Sequence, residues 1–223
     1  MPRSDYRVDD TWHVLGLKGT GSKDIVVEGA FVPDYRTHPF AMSFARMDEG
    51  TQTFTAPTYK YPFGIVFAHC LSSVTIGMAE GALESFTEQM KSRLGTYDGA
   101  KSAEDPFVRQ RLAEAQAIVH AMRLRFEAVF AELAETIDAG GQPTLDRRVA
   151  YKWEAASIAK NAMQAVELLF KASGGRGIRQ ENPLQRFFRD VHAASNHAFL
   201  NAEKGAVNAG NVAMGGPTMD FAL

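Results

Sequence analysis

The 223-residue sequence is poor in several things, and each shortage excludes a class of protein. It has one cysteine, Cys70, so no internal disulfide can form, and a reducing, cytoplasmic setting is expected. It has no excess of charge. Lys plus Arg total 24 against 26 for Asp plus Glu, a formal −2 that gives no electrostatic footprint for nucleic acid or an anionic membrane. It lacks a long apolar run. The longest weakly polar stretch, from Gly64 to Ala79, is broken by His69 and by several Ser and Thr, and reads as too short and too polar to span a bilayer. The opening MPRSDYRVDD has no apolar core, so no signal peptide is expected. There is no HExxH and no paired Glu-x-x-His, which disfavours a zinc site and a di-iron bundle. No nucleophile elbow surrounds Ser72 or Ser73.

What is present is enough apolar material, 45% of residues, for a sizeable core. Residues 1–40 read as a partial β domain. DIVVEGAFVP is β-branched, short and ended by Pro33, and KGTGSK before it reads as a turn. So little sheet must pack on something larger. Residues 41–60 form a connector, with room for a short helix at its start. Residues 61–212 carry the periodicity of four long helices, and residues 213–223, rich in Gly and Pro, read as an extended tail. The second long helix has the clearest pattern. Val108, Leu112, Ala115, Val119, Met122, Phe126, Val129, Leu133 and Ile137 alternate steps of four and three, which suits near-parallel bundle packing. Asp105–Pro106, Thr144 or Pro143, and Asn182–Pro183 look like helix starts. The fold class is therefore mainly α: a C-terminal four-helix bundle preceded by a partial β domain.

The densest ionisable stretch is RDVHAASNH, residues 189–197. On a helix His192 and His197 diverge by about 140°, too far for a zinc pair, which wants an i, i+4 spacing. Arg189 and Asp190 read as a helix–helix ion pair. His197 follows small side chains that leave room for a ligand beside an imidazole able to exchange a proton near neutrality. Two glycine runs are candidates for close backbone approach. GTGS, residues 19–22, could hold phosphate or ring carbonyls through backbone N–H groups, and SGGRGI, residues 173–178, is either a helix cap or an anion-facing turn with Arg176. Cys70, beside His69 on a helix, reads as a core thiol.

WHVLGLKGTGSKDIVVEGAFVPDYR, followed by a bundle that ends ASGGRGIRQENPLQRFFRDVHAASNHAFLNAEKGA, resembles the acyl-CoA dehydrogenase superfamily. Within it the sequence is most similar to the oxygenase components of two-component flavin-dependent aromatic monooxygenases. Members are longer, with an all-helical domain and the first part of a β domain ahead of this region. The resemblance therefore implies a fragment or a chain that needs a partner. It implies that Gly19, Thr20, Gly21 and Ser22 lie near the flavin. Arg93 and Tyr97 would touch flavin across a subunit interface. Gly174, Gly175 and Gly177 would approach the cofactor of a neighbouring subunit. His197 would face the reactive flavin carbon in a water-excluding chamber. It also implies reduced flavin (FMN or FAD), O2 as co-substrate, a small aromatic substrate, a separate flavin reductase, and a homo-oligomer, dimer or tetramer.

The dehydrogenase branch of the same superfamily needs a carboxylate base. One family position for it aligns near Ala198, and the other falls on the first long helix, where no Asp or Glu occurs between Glu49 and Glu80. Glu80 and Glu203 remain as displaced candidates. Oxygenation is thus the first expectation. An acyl-CoA dehydrogenase-like flavoenzyme is the second, and a truncated, non-catalytic oligomerisation bundle the third.

Overall fold

The apolar spacing and the caps produce the long helices where the sequence places them. The computed structural model describes residues 1–95 and 99–223. In chain order its elements are β1 (Tyr6–Asp9), β2 (Asp24–Val27), α1 (Phe40–Ala45), α2 (Glu49–Thr53), α3 (Phe63–Ser92), α4 (Pro106–Asp138), α5 (Leu145–Ala172), α6 (Pro183–Ser195) and α7 (Ala202–Ala213). Asp105 starts α4 by accepting the N–H groups of Phe107 and Val108 at 2.7 and 3.3 Å. Thr144 accepts from Arg147 at the start of α5, and Asn182 from Leu184 at the start of α6. Each such cap stabilises its helix by about 1 kcal/mol. Gly140, at φ +77°, ends α4 in the left-handed conformation that glycine tolerates best.

α5 is the centre of the molecule and packs on α3, α4, α6 and α7. It can do so because Ala155, Ala156, Ala159, Ala162 and Ala165 are buried on it and let its neighbours come close. Larger side chains fill the rest of the core, including Ile76, Phe86, Met122, Ile158, Val166, Leu169, Leu184 and Val191. The α4 seam faces inward as its spacing predicts, with Leu112 and Phe126 half-buried and the other seven residues buried.

Several expectations need correction. α3 is 30 residues long, longer than the weakly polar run read from the sequence, and its length and composition would suffice to cross a membrane. It is nevertheless a core helix of the bundle, packed on α4, α5 and α6. Cys70 is exposed, not a core thiol, because His69 takes the inward position and the next residue turns about 100° away. The fourth long helix is broken between α6 and α7. Polar Asn196 ends the first piece, and the Asn201 side chain caps the second by accepting the Lys204 N–H at 2.9 Å. β2 stops at Val27 well before Pro33, with Gly29 at φ +66°, because among the described residues no strand pairs with Ala30–Pro33. Its partner is β1, which the sequence reading overlooked. The two strands run antiparallel, with Tyr6 opposite Val27 and Asp9 opposite Asp24. The tail has no regular structure, yet it turns back on the bundle and buries Ala222 and Leu223.

Among the described residues Arg189 and Asp190 form no helix–helix ion pair. They receive the chain between the strands instead. Leu17 N–H donates to Asp190 Oδ1 at 2.8 Å, and Arg189 Nη1 donates to the Leu15 carbonyl at 2.7 Å. Gly16, between them, is buried so tightly that a Cβ there would lie 2.2 Å from the Arg189 carbonyl oxygen. We predict that Gly16→Ala lifts this segment off α6, costing about 1–3 kcal/mol. Limited proteolysis should then cut within residues 10–30 first; wild-type resistance there would contradict the packing.

His69 makes a second prediction. Its side chain is fully buried, its Nδ1 lies 2.9 Å from the Ile65 carbonyl, and its Nε2, near the rings of Phe126 and Phe130, has no partner among the described residues. Burial pushes its pKa below the usual 6.5, so the unfolded chain binds the extra proton more readily. Stability should therefore fall as pH drops below about 6.5. His69→Leu should flatten that part of the profile in thermal unfolding at pH 8 and pH 5.5. An equally steep loss in the variant would remove His69 as its cause.

Candidate active site

His197 lies in the link between α6 and α7, not on a long helix. It caps a single 3-10 turn, Ala198–Leu200, and its Nδ1 accepts the Phe199 N–H at 3.2 Å. With Nδ1 acting as acceptor, the neutral ring carries its proton on Nε2, which leaves an N–H donor to project outward. The ring stands beside Phe67 and Phe199, with centroids 6.0 and 6.1 Å away. These two rings continue into a cluster with Phe44, Phe63 and Phe221. The expected water-excluding chamber is not closed by this chain, where His197 is exposed on an aromatic floor. His192 does something different. Its ring nitrogens lie 2.6 Å from the Phe188 carbonyl and 2.9 Å from Glu167, so it ties α6 to α5.

The GTGS loop is held by the seat on α6. Leu17 has a left-handed backbone, φ 54°, and its carbonyl accepts from Trp12 Nε1 at 3.0 Å and from Thr20 Oγ1 at 2.8 Å. Gly19, Thr20, Gly21 and Ser22 are all exposed. Gly21 needs its positive φ of 60°. At Gly19 a Cβ would meet nothing within 4 Å, so packing within the chain does not explain that glycine.

The second glycine turn meets Arg93. Arg93 Nη1 donates to the Ser173 carbonyl at 2.6 Å and so caps the end of α5. Burial, and then the charge of Arg176, lower the pKa of its guanidinium. Gly174 has φ +57°, and at Gly177 a Cβ would lie 1.8 Å from Ser173 Oγ. At Gly175 a Cβ would meet nothing within 4 Å. Tyr97 lies outside the described residues. The structure thus brings Arg93 together with Gly174–Gly177, but not with His197. The glycine turn precedes α6 and His197 follows it, so about 20 Å of helix separates them.

Beside the 3-10 turn is a pocket of about 560 Å3 that the sequence did not reveal, lined by α5, α7 and the tail. Lys152, Phe199, Val207, Met219 and Phe221 are among its walls. Lys152 was overlooked because it sits in the buried stripe of α5 with Val149, Trp153 and Ala156, where an apolar residue is the rule. A lysine in that stripe was the available signal.

The chain matches known proteins over nearly all its length. A family model described as acyl-CoA dehydrogenase, C-terminal domain, matches residues 69–202. The oxygenase subunit HsaA of a flavin-dependent monooxygenase from Rhodococcus jostii (strain RHA1) is 34% identical over 221 residues, 99% of this chain and 58% of that protein. The oxygenase component of an FADH2-dependent resorcinol hydroxylase from Rhizobium sp. is 30% identical, over 90% of this chain and 51% of that protein. The crystal structure of 3-HSA hydroxylase from Rhodococcus sp. RHA1 superimposes with a TM-score of 0.92 at 33% identity, covering 100% of this chain and 58% of that one. The chain therefore spans little more than half the length of these relatives.

The two glycines of the α5–α6 turn give a paired prediction. Gly177→Ala should lower stability by about 1–3 kcal/mol, because Ser173 must move. Gly175→Ala should stay within about 0.5 kcal/mol of wild type. Thermal unfolding of both variants checks this, and equal losses would contradict the distinction.

Proposed function

Because the chain belongs to the acyl-CoA dehydrogenase family through its C-terminal domain, we propose that it is the C-terminal part of an oxygenase component. The whole enzyme would be a two-component flavin-dependent monooxygenase that hydroxylates a small aromatic or phenolic substrate with O2. A separate reductase would supply reduced FMN or FAD. The observation that carries this reading is His197, an oriented Nε2–H donor on an aromatic floor beside Ala198, where the dehydrogenase branch would need a carboxylate. Glu80, the displaced candidate on α3, is bound by Arg123 at 2.5 Å. Glu203 lies in the first turn of α7, where it complements the helix dipole. Neither favours the dehydrogenase alternative.

The residues present fit a flavin. Gly19 and Gly175 leave room that no neighbouring side chain fills, and the Arg93 and Arg176 cations stand near the second glycine turn. In this reading Gly19, Thr20, Gly21 and Ser22 approach one flavin. Arg93, Tyr97, Gly174, Gly175 and Gly177 serve the flavin of a neighbouring subunit. The length of α6 between the glycine turn and His197 supports that division. Reduced flavin, when bound, supplies the electrons that activate O2. His197, with its proton on Nε2, would donate a hydrogen bond toward the reacting oxygen, and the phenylalanines at its side would form the apolar floor of the site once it is covered. The cover over His197 would come from the remaining length found in relatives or from another subunit. Exposed Val74, Phe107 and Leu124 on the bundle helices support a dimer or tetramer. The lone cysteine supports a cytoplasmic location.

The reading is tested on the whole enzyme, this chain with the remaining length found in relatives, using reduced FMN or FAD, O2 and a phenol such as resorcinol, by measuring hydroxylated product against peroxide. His197→Ala should lower the rate of product formation on the order of 100-fold, as loss of an oriented donor does, while flavin is still oxidised. Unchanged coupling of flavin oxidation to product in that variant would defeat the assignment.

A further inference from the structure

Lys152 is a charged residue on the central helix α5, at the wall of the pocket beside the tail, and its side chain is 12% exposed. Its ammonium lies 2.7 Å from Asp220 Oδ2 and donates to the Ala222 carbonyl at 2.9 Å. It also stands 4.5 Å from the centroid of the Phe199 ring. One lysine therefore fastens two things: the returning tail, and the ring two residues from His197. The tail is fixed independently on α7, where Asn208 Oδ1 accepts the Met219 N–H at 2.8 Å, and it is braced internally by the Ala222 N–H donating to Asp220 Oδ1 at 2.9 Å. The tail also abuts α3, where a Cβ on Gly64 would lie 2.0 Å from the Ala222 carbonyl oxygen. The ammonium is thus held at one place by groups that cannot easily move.

The backbone N–H of Phe199 is the donor that sets the His197 tautomer. The position of that N–H depends on where the Phe199 ring is anchored. Phe67 packs edge-on against one part of the ring, with centroids 4.9 Å apart, and Lys152 lies over its face. We propose that Lys152 is a positioning residue for His197: through the Phe199 ring and the tail it fixes the N–H that keeps the His197 proton on Nε2. A cation over an aromatic face in a partly desolvated site is a strong enough contact for this role. Lys152 does not reach the reacting atoms.

The inference rests on the reading of His197 as a site residue, so its test needs a readout besides activity. The full chain, labelled with 15N-histidine, is compared as wild type, Lys152→Met and Lys152→Arg by long-range 1H–15N correlation. The wild type should show His197 protonated at Nε2 and unprotonated at Nδ1. Lys152→Met, which keeps the stem and removes the charge, should show a mixture of tautomers. Lys152→Arg should restore the wild-type pattern. Should Lys152→Met fail to fold, Phe199→Leu, which removes the ring and keeps the N–H, should show the same mixture. A wild-type His197 pattern in the variant that is read, or no recovery in Lys152→Arg, overturns the proposal. Product per flavin oxidised is then measured with reduced FMN or FAD and resorcinol. Lys152→Met should lose about tenfold or more, the scale of a slightly misplaced group. A whole wild-type enzyme, this chain together with the remaining length found in relatives, that makes no product from any small phenol refutes the oxygenase reading and leaves the tautomer result to judge Lys152.

Discussion

The contact on which the arrangement depends is the seating of Leu15–Leu17 on α6. β1 and β2 have four residues each, the apolar face formed by Tyr6, Val8, Ile25 and Val27 is largely exposed, and a two-stranded hairpin of that size is marginal in water. Its place is set by a short segment pressed against one helix. Gly16 lets the backbones touch, Asp190 accepts the Leu17 N–H, and Arg189 donates to the Leu15 carbonyl. A half-buried carboxylate that accepts a backbone N–H makes one of the stronger neutral-to-charged contacts available, and losing it leaves that N–H without a partner. Because α6 is rigid and its end carries the link to His197, the same helix relates the GTGS loop to the imidazole. The local sequence explains both: RD holds the loop, and ASNH ends the helix.

The bundle supplies the stiffness behind this. The alanines of α5 let four helices close around it, and its two conspicuous polar residues are both engaged. Lys152 ties the tail and the Phe199 ring, while Glu167 meets His192 of α6. Polar groups near a core are tolerated when their partners are present, and they then specify geometry more than they add stability. His69 is one of several exceptions, with Arg46, Arg148, Tyr151 and Glu154. Its Nε2 has no partner among the described residues, which makes it a place where acid can loosen the bundle.

Much of this was legible in the sequence, and the rest was hidden for identifiable reasons. The α4 seam and the caps at Asp105, Thr144 and Asn182 are local, and local rules found them. β1 was missed because YRVD is short and charged, and only pairing with residues 24–27 makes it a strand. The break at Asn196–Asn201 was missed because the apolar periodicity continues across it. Arg189 and Asp190 were recognised as a pair needing an explanation, but their partner is a backbone segment more than 170 residues earlier, which helix spacing cannot show. Cys70 was misplaced because its apolar neighbours belong to a helix whose inward face is one residue away. The tail looked extended from its Gly and Pro content, and its docking depends on Lys152 and Gly64, which lie far off in the chain. The flavin-facing roles came from resemblance alone; what the structure adds is the room at Gly19 and Gly175.

The central claim is that Asp190 holds the GTGS loop in place on the bundle. Hydrogen–deuterium exchange of Asp190→Ala against wild type tests it most directly. Amides of residues 11–23 should lose their protection while those of α3, α4 and α5 keep theirs. Wild-type protection of residues 11–23 in the variant, or loss spread evenly over the whole bundle, would contradict it.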